Sequence, residues 1–475
     1  MDKLIGREEE QRTLDRYLHS GRSELVVVYG RRRIGKTFLV RQYFKNRFTF
    51  SYVGRHNLSR QEQLACFAQA LAEQSGSPYT PTLSSWWEAF SQLEHFIERL
   101  PKKQRKVIFI DEIPWMDSPK SDFVSALETF WNAWADHRDD ILFIACGSAT
   151  SWIVKKIFKN RGGLYNRVTC RLYLRPFCLA EVEEYLRSRR FVWDRFQIAQ
   201  CYMAVGGIPF YLSLLDPAES MVQNIDRLFF ASANAPMRTE FGELFATLFS
   251  HHENYVKVVR LLAERREGFT RTEISDNTGL GGSSLTTILD ELERCDFIMG
   301  YQKWGSKTKG IIYRLTDAYT LFYYKFVDGD RSHDPQRWQH LVGKPQVTAW
   351  QGFSFELLCL LHLQQVKTAL GIAGMATSAS VWRSQNKDVR SQIDLVIDRA
   401  DRIINLCEMK FSTQQYGITK GYEDHLRLRM SLFAAESRTR KGLAVTMVTT
   451  FGLLPSRHNG IVNSEVTLDA LFVKP

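Results

Sequence analysis

One run of residues has the composition and spacing of a phosphate-binding loop. Residues 30–37 read Gly-Arg-Arg-Arg-Ile-Gly-Lys-Thr, which fits the pattern GxxxxGK[ST] directly after an apolar run. In such a loop the glycines let backbone N–H groups surround phosphate oxygens, while Lys36 reaches the β- and γ-phosphates and Thr37 offers a hydroxyl to Mg²⁺. The residues expected to contact ATP are Gly30, Arg31, Arg32, Arg33, Ile34, Gly35, Lys36, Thr37 and Phe38.

Two adjacent carboxylates follow another apolar run. Residues 107–110 lead directly into Asp111 and Glu112. The first carboxylate can hold Mg²⁺ together with Thr37, and the second can polarise the water that attacks the γ-phosphate. An acidic turn by itself is usually a solvated strand end. Because this one follows a phosphate loop, we interpret Asp111 as a residue that binds ATP and metal, and Glu112 as a catalytic residue.

The remaining candidates near the nucleotide have equally good structural explanations. Ser148 could contact the γ-phosphate, or it could belong to a turn of small residues. Pro209, in the Gly-Gly-Ile-Pro run 206–209, could press against the adenine, or it could simply break a helix. The arginines Arg161, Arg167 and Arg171 lie between Ser148 and the helical pattern that begins at residue 179. One of them could act as an arginine finger on a neighbouring subunit, although most arginines in such clusters are surface or ion-paired residues.

A second group of acidic residues lies near the C-terminal end. Asp394 stands in the apolar run 392–397, and Glu408 and Lys410 stand in the next one. Alternation along a strand puts Glu408 and Lys410 on one face, and hairpin pairing can bring Asp394 beside them. Carboxylates hold Mg²⁺, which polarises a phosphodiester and activates water, while a lysine steadies the developing charge.

Glu356 completes this candidate metal-dependent nuclease site. It lies on an otherwise apolar helix, predicted over residues 350–364, where a polar side chain requires a partner. We therefore predict that Glu356, Asp394 and Glu408 bind metal. Asp394, Glu408 and Lys410 are the predicted catalytic residues. The spacing alone would usually mark a solvated acidic edge, so the prediction depends on the order helix, strand, strand and helix around it.

The elements that position the phosphate site form a recognisable pattern in the first half of the chain. Short apolar runs alternate with amphipathic helical patterns, which is typical of a parallel sheet covered by helices. Strands are predicted at residues 25–29, 49–53, 107–110, 141–146 and 171–174. The pattern becomes helical from 179 to 230, which suggests a helical lid.

The next segment has the element order of a winged helix. Helices are predicted through residues 255–265, 271–277 and 283–294, followed by a hairpin with its tip at 305–310. The third helix carries Asp290, Glu291 and Glu293 against one arginine, which disfavours a phosphate-binding surface. The hairpin has residues compatible with contact to a DNA backbone, namely Lys303, Trp304, Lys307 and Lys309. Structural coupling between the ATPase and the C-terminal domain is the favoured interpretation.

Composition limits the class of protein. The 475 residues are long enough for about three domains, and 44% hydrophobic and 24% charged residues are typical of a folded globular chain. A formal charge of +11 favours polyanionic partners, although a solvated basic surface explains it equally well. The eight cysteines form no CxxC pair, which indicates buried thiols. Without a signal core or a long apolar run, a cytoplasmic protein with no membrane partner is predicted.

The order of the motifs resembles the archaeal-type P-loop ATPases, a family of AAA+-like or STAND-like proteins that is also widespread in bacteria. The resemblance rests on Gly6-Arg7-Glu8, on residues 30–37, on Asp111-Glu112 and on the runs 206–209 and 394–410. It implies an α/β multidomain fold whose C-terminal domain is restriction-endonuclease-like, of the PD-(D/E)xK type. The implied domains are a P-loop ATPase core with a parallel sheet (1–178), a helical lid (179–238), a winged helix (239–327) and the nuclease-like α/β domain (345–475). Ile393 replaces the proline of the nuclease motif, and the chemistry resides in the carboxylates and the lysine.

These observations predict an ATP-binding and hydrolysing protein that controls a Mg²⁺-dependent DNA nuclease domain, in genome defence or mobile-element biology. The expected cofactors are ATP and Mg²⁺, the expected partner is DNA, and an ATP-dependent homo-oligomer is a candidate assembly. The alternative is an ATP-switched DNA-binding or scaffolding protein whose nuclease-like domain does not cleave.

Overall fold

The computed structural model describes residues 4–474 except 102–103, 149, 160–162, 165, 250, 306–309 and 385–390. It divides into two compact units, Met1–Arg175 (unit 1) and Pro176–Pro475 (unit 2). The predicted boundary at residue 178 lies close to this division. The finer division of unit 2 into three domains stays a prediction.

Unit 1 is built around a parallel sheet. Its strands are β1 (Glu24–Tyr29), β2 (Phe50–Val53), β3 (Lys106–Asp111), β4 (Ile141–Gly147) and β5 (Cys170–Tyr173). They lie in the order β2-β3-β4-β1-β5 and every pairing is parallel. The prediction of a parallel sheet is therefore confirmed.

The central strands of this sheet are buried almost along their whole length and carry the apolar runs 25–28, 107–110 and 141–146, as expected of a sheet that is covered on both faces. The helices of unit 1 are α1 (Glu8–Leu18), α2 (Lys36–Tyr43), α3 (Arg60–Ser75), α4 (Trp86–Glu98), α5 (Phe123–Ala133) and α6 (Thr150–Trp152), which continues as a π-helix over Ile153–Phe158. Val26, Val27 and Val28 on β1 are fully buried. Each such side chain contributes roughly 1.5–3 kcal/mol of transfer free energy. The core therefore fixes the strand ends from which the loops emerge.

Unit 2 begins with a run of helices, as predicted for residues 179–230. They are α7 (Leu179–Ser188), α8 (Arg195–Val205), α9 (Pro209–Ser213), α10 (Met221–Phe229) and α11 (Pro236–Leu248). α8 ends before Gly206, whose φ of 70° is left-handed, and Pro209 starts α9. A Cβ on Gly207 would lie 2.0 Å from the carbonyl oxygen of Phe177. The Gly-Gly-Ile-Pro run thus breaks a helix and permits a close backbone approach.

The middle of unit 2 follows the predicted order of helices and hairpin. Its elements are α12 (His252–Glu264), β6 (Phe269–Thr270), α13 (Arg271–Thr278), α14 (Gly282–Arg294), β7 (Ile298–Gln302) and β8 (Ile311–Leu315). The strands form an antiparallel sheet in the order β6-β8-β7. The acidic residues of α14 have internal partners: Glu291 accepts a hydrogen bond from Tyr255, and Glu293 accepts the N–H of Gly300 at 2.8 Å. We refer to residues 252–315 as the middle segment.

Trp304, after β7, packs inward. Its ring lies 5.0 Å from that of Phe433, and its backbone N–H donates to the carbonyl oxygen of Val381 at 2.8 Å. This position favours coupling of the hairpin to the C-terminal part over contact with DNA at Trp304. The predicted wing residues Lys307 and Lys309 lie outside the described residues.

Three helices connect the middle segment to a C-terminal sheet. They are α15 (Ala318–Phe322, continuing as a π-helix over Tyr323–Val327), α16 (Arg337–Leu341) and α17 (Pro345–Leu361), after which α18 (Leu363–Ala369) precedes the first strand. The side chain of His362, between α17 and α18, accepts the N–H of Leu179 on its Nε2 at 2.9 Å. This contact links the first helices of unit 2 to its last part.

The C-terminal sheet is mixed. Its elements are β9 (Thr377–Arg383), β10 (Gln392–Arg399), β11 (Ile403–Lys410), β13 (Gly442–Thr449) and β15 (Val462–Thr467), with α19 (Lys420–Ser437) between β11 and β13 and a small pair β12 (Tyr416–Gly417) and β14 (Leu453–Leu454) beside them. The order is β15-β13-β11-β10-β9, antiparallel from β9 to β11 and parallel from β11 to β15. β10 and β11 coincide with the two apolar runs that carry Asp394 and Glu408.

All eight cysteines are free thiols, and six of them are buried. No helix within the described part of the chain is long and apolar enough to cross a bilayer.

Candidate functional site

The phosphate loop connects β1 to α2, and its backbone needs glycine at defined positions. Gly30 has φ 145° and Gly35 has φ 89°, and Arg33 between them is also left-handed at 68°. A Cβ on Gly30 would lie 2.5 Å from the carbonyl oxygen of Leu174. Glycine is therefore required at the start of the loop, because any side chain there would collide with the backbone after β5.

Lys36 lies inside the curl of this loop. Its Nζ donates to the carbonyl oxygens of Gly30 at 3.0 Å and Arg31 at 2.8 Å, and the residue is only 5% exposed. Lys36 is also the first residue of α2, so its charge adds to the positive end of the helix dipole. A phosphate group at this position would meet a full positive charge and the positive end of the helix dipole.

The structure brings Thr37 and Asp111 together. The Thr37 hydroxyl donates to Asp111 Oδ2 at 2.7 Å, although the residues are far apart in the chain. Asp111 ends β3 and is 3% exposed, and its Oδ1 accepts the N–H of Glu112 at 2.9 Å. A hydroxyl and a carboxylate are hard oxygen donors, which Mg²⁺ prefers. The donor types therefore fit the metal that accompanies ATP.

Glu112 is held in an unusual backbone conformation by its surroundings. Its φ of 47° is left-handed, and a Cβ on Gly54 would lie 2.5 Å from its carbonyl oxygen. The hydroxyl of Ser148, directly after β4, donates to the Glu112 carboxylate at 3.1 Å. Ser148, for which the sequence left open a contact with the γ-phosphate and a place in a turn of small residues, thus lies beside Glu112.

The other predicted loop residues differ in exposure. Ile34 and Arg31 are buried, Arg32 and Arg33 are partly exposed, and Phe38 is exposed. Pro209 belongs to unit 2, and its predicted contact with adenine stays a prediction.

Arg7 supports the phosphate loop in a way that sequence reasoning missed. Its guanidinium donates to the carbonyl oxygens of Ile34 at 3.4 Å and Arg175 at 2.7 Å, and the residue is buried. It thus ties the loop to the end of unit 1. The sequence showed the Gly-Arg-Glu run 6–8 only as part of the family resemblance. That run was the one available signal, and it did not indicate which carbonyl groups Arg7 contacts.

The arginine-finger candidates that the structure describes have local partners. Arg167 forms an ion pair with Asp136 at 2.9 Å, and the Arg171 guanidinium lies 4.5 Å from the ring of Phe158. Arg167 and Arg171 are both exposed. Arg161 lies outside the described residues, so the finger stays a prediction.

The C-terminal candidates converge on the edge between α17 and the sheet. β10 and β11 pair with Leu395 opposite Cys407, which puts Asp394 opposite Glu408 one step further along. Lys410 Nζ lies 2.8 Å from Glu408 Oε1, on the same face of β11. A β-bulge between Ile393 and Val396 distorts the pairing of β10 with β9 at this point. The predicted proximity of these side chains is therefore present.

Two arginines of the middle segment contact these carboxylates. Arg266 Nη2 lies 3.1 Å from Glu356 Oε1 and 3.3 Å from Asp394 Oδ2. Arg314 Nη2 lies 2.9 Å from Asp394 Oδ1. Sequence reasoning missed both arginines, because nothing in the spacing of the middle segment indicates that it faces the C-terminal sheet.

Glu408 is surrounded by partners from α19. It accepts the hydroxyl of Tyr422 at 2.8 Å and forms an ion pair with Arg429. Burial raises the pKa of Glu408, but the nearby charges of Lys410 and Arg429 outweigh it, so the pKa lies below its usual range. Glu408 is therefore ionised at neutral pH.

The pKa of Glu356 is shifted in the opposite direction from that of Glu408. Burial, together with repulsion from Asp394, raises its pKa to about 8, even though Arg266 lowers it. Its Oε2 is buried and has no hydrogen-bond partner. A cation at this oxygen would displace the proton that the raised pKa favours and would occupy its lone pairs.

Oxygen donors of the kind that Mg²⁺ prefers are thus present, but ionic contacts hold them. No group of three or more His, Cys, Asp or Glu side chains stands ready to hold a metal ion in the described ranges. Arginine and lysine nitrogens lie against the carboxylate oxygens instead. The predicted metal roles of Glu356, Asp394 and Glu408 stay predictions.

Comparison with known proteins identifies relatives of the first part of the chain. Residues 4–215 match a family described as an ATPase domain predominantly from Archaea. An uncharacterized protein of Methanocaldococcus jannaschii is 25% identical over 333 residues, which are 68% of this chain and 69% of that protein. An uncharacterized ATP-binding protein of the same archaeon is 37% identical over 44 residues, which are 9% of this chain and 75% of that protein.

A solved structure shares the fold. The Walker-type ATPase of Pyrococcus abyssi superposes with a TM-score of 0.50 at 18% identity, covering 68% of this chain and 96% of its own. The fold of this part of the chain thus occurs in another protein.

Proposed function

We propose that the archaeal-type ATPase domain of residues 4–215 binds ATP with Mg²⁺ and hydrolyses it. The observation that carries this proposal is the 2.7 Å hydrogen bond between Thr37 and Asp111, with Lys36 and Glu112 adjacent to them in the chain. Four side chains with complementary roles in phosphoryl transfer therefore lie at or just after the carboxyl ends of β1 and β3.

Each of these residues has a distinct task. Lys36 exchanges its two backbone carbonyl partners for β- and γ-phosphate oxygens. Thr37 and Asp111 hold Mg²⁺, which neutralises charge on the phosphates. Glu112 accepts a hydrogen bond from the attacking water and takes its proton. Ser148 directs the Glu112 carboxylate.

The decisive experiment compares two variants with the wild type. Lys36→Ala should lose ATP affinity in a nucleotide-binding titration, because it removes the charge inside the loop. Glu112→Gln should bind ATP normally and release phosphate about 10²–10⁴ times more slowly, since only the general base is lost. Unchanged ATP affinity in Lys36→Ala would reject the assignment.

We further propose that ATP hydrolysis controls a Mg²⁺-dependent DNA nuclease formed by residues 345–475, with residues 239–327 acting as a winged helix between the two. The supporting observation is that Asp394, Glu408 and Lys410 lie at the same end of the paired strands β10 and β11. Arg266 joins Asp394 to Glu356 there. The formal charge of +11 is compatible with DNA as the partner. Plasmid and linear DNA, incubated with the protein in the presence and absence of Mg²⁺ and ATP, test this activity.

A second candidate function is supported by the ion pairs at the same carboxylates. An ATP-switched DNA-binding or scaffolding protein would not need Asp394 free, and Arg314 and Arg266 engage both of its oxygens. DNA binding without cleavage in any nucleotide state, with Mg²⁺ or Mn²⁺, would favour this alternative.

ATP-dependent self-association is part of the proposal. Arg171 on β5 and Arg167, both exposed, could reach a nucleotide bound to a neighbouring copy, as arginine fingers do. Light scattering of the Glu112→Gln variant with and without ATP measures the assembly. A mass that stays monomeric under both conditions rejects it.

A further inference from the structure

The carboxylates of the C-terminal site are held by arginines from another part of unit 2. Arg266 lies between α12 and β6, and Arg314 lies on β8. One nitrogen of Arg266 bridges Glu356 Oε1 and Asp394 Oδ2, at 3.1 and 3.3 Å. Arg314 Nη2 lies 2.9 Å from Asp394 Oδ1. Both oxygens of Asp394 are therefore engaged by the middle segment.

Close packing and hydrogen bonds fix the conformation of the turn that carries Arg266. Gly268 has φ 74°, and a Cβ on it would lie 2.3 Å from a backbone oxygen of β8. Arg265 donates to the carbonyl of Gly268 at 2.8 Å, and Arg383 on β9 donates to the carbonyl of Glu267. These contacts aim Arg266 at the carboxylates, so its position is built into the packing of the turn.

The two arginines differ in accessibility. The side chain of Arg314 is 3% exposed, whereas that of Arg266 is 45% exposed. A buried arginine such as Arg314 requires its carboxylate for stability. Arg266 can exchange its partners for water without such a cost. Arg266 is therefore the partner that can leave.

Arg266 and a divalent cation require the same oxygens. A metal ion held by Glu356 and Asp394 needs the lone pairs that now accept from the guanidinium, and two positive groups in that gap would repel one another. The unpaired Glu356 Oε2 beside this contact remains available to a cation. Occupancy by Arg266 and by a metal ion is thus mutually exclusive.

We propose that Arg266 is a latch that excludes the metal ion from the C-terminal site, an inference that rests on the proposed nuclease function. While the middle segment lies against the sheet, Arg266 holds Glu356 and Asp394 in a metal-free state. When the Arg266 side chain swings into water, the oxygens between the two carboxylates become free. The apparent metal affinity is then the intrinsic affinity reduced by the fraction of molecules whose latch is open.

The test measures metal binding rather than cleavage. Mn²⁺ is titrated by calorimetry into the nucleotide-free full chain, and the binding event that Asp394→Ala removes is assigned to this site. Arg266→Met, which keeps the aliphatic stem, should bind Mn²⁺ at least about tenfold more tightly than the wild type. Arg266→Lys, which keeps the positive charge, should remain closer to the wild type.

Arg260→Met is the matched control. Arg260 lies on α12 of the same segment, is exposed to a similar degree and pairs with Asp328 at 3.3 Å instead of with the site. Its loss removes the same charge and should leave the Mn²⁺ affinity unchanged. Thermal unfolding of each variant checks the fold, and Arg266→Gln replaces Arg266→Met if the latter unfolds.

The outcomes separate the latch from the nuclease. Unchanged or weaker Mn²⁺ binding in Arg266→Met, an equal gain in Arg260→Met, or no Asp394-dependent binding in any variant overturns the latch. Tighter binding in Arg266→Met without DNA cleavage by any variant supports the latch and rejects the nuclease. Cleavage by the wild type and Arg266→Met with the same Mn²⁺ dependence supports the nuclease and rejects the latch.

Discussion

The hydroxyl of Ser148 lies 3.1 Å from Oε2 of Glu112 and 3.3 Å from its Oε1, so a side chain after β4 donates to the carboxylate after β3. The two strands are parallel neighbours, and their carboxyl ends meet at one edge of the sheet. The left-handed backbone of Glu112 is uncommon for a residue other than glycine. The contact with Ser148 fixes the direction of its side chain. The hydroxyl therefore orients the group proposed to polarise the attacking water.

Ser148→Ala should slow ATP hydrolysis without weakening ATP binding. The Glu112 carboxylate would keep its charge but lose its orienting donor, so we expect kcat to fall about tenfold, less than the loss expected from Glu112→Gln. Phosphate release at saturating ATP measures kcat, and a nucleotide titration measures affinity. A fall in affinity with unchanged kcat would instead place Ser148 at the phosphates.

Gly30→Ala should distort the phosphate loop. The new Cβ would lie 2.5 Å from the Leu174 carbonyl oxygen at a φ of 145°, and strain of this kind costs about 1–3 kcal/mol. We expect weaker ATP binding and a lower melting temperature of unit 1. Gly76→Ala is the control, since Gly76 also has a positive φ but open space around it. If both substitutions weaken ATP binding equally, the close contact at Gly30 is not responsible.

Much of the nucleotide site could be predicted from the sequence, because its motifs are local. The loop, the lysine and the threonine are contiguous, and the carboxylates directly follow an apolar strand. The support from Arg7 could not be predicted, since the residue is distant in the chain from the Ile34 and Arg175 carbonyls that it contacts. The hydrogen bond from Ser148 to Glu112 could not be predicted either, because it joins the ends of two neighbouring strands that are far apart in the chain.

Acid should destabilise unit 2 through His362. Burial lowers the pKa of His362 to about 4, and its Nε2 accepts the N–H of Leu179 while its Nδ1 donates to the Leu358 carbonyl at 2.8 Å. A second ring proton would face the Leu179 donor. The unfolded chain takes up this proton near pH 6.5, whereas the folded chain takes it up only near pH 4. The folded state therefore loses stability as the pH falls between these values.

The expected loss is about 2 kcal/mol of unfolding free energy between pH 7.5 and pH 5. Chemical denaturation of the wild type and of His362→Gln at both pH values measures it, because glutamine does not titrate. The wild type should lose more stability than the variant, and the difference belongs to His362. An equal loss in both proteins would show that other groups determine the acid sensitivity.

The C-terminal site illustrates where sequence reasoning stops. Strand alternation and hairpin register were sufficient to bring Glu408, Lys410 and Asp394 together. The arginines at 266 and 314 could not be assigned, because their contacts depend on how the middle segment packs against the sheet. A pattern of spacing predicts which residues share a strand face and carries no information on which distant cation covers that face.

The C-terminal carboxylates should be essential for any DNA cleavage. Asp394→Ala and Glu408→Ala each remove an oxygen donor pair from the proposed metal site, so nicking of plasmid DNA in Mg²⁺ should be abolished. Lys410→Ala should keep DNA binding and slow the chemical step, because the lysine acts mainly on transition-state charge. ATP hydrolysis should persist in all three variants, since its residues belong to unit 1.

The measurement is a time course of supercoiled plasmid with wild type and variants, in Mg²⁺ or Mn²⁺ and with or without ATP. Lys441→Ala is a suitable control: Lys441 pairs with Asp398 on the same sheet but away from the Asp394, Glu408 and Lys410 contacts, and its loss should leave cleavage unchanged. Since Arg266 covers Asp394 in the resting chain, Arg266→Met should cleave at lower metal concentrations than the wild type. Cleavage by Asp394→Ala at the wild-type rate would show that the catalytic carboxylates lie elsewhere.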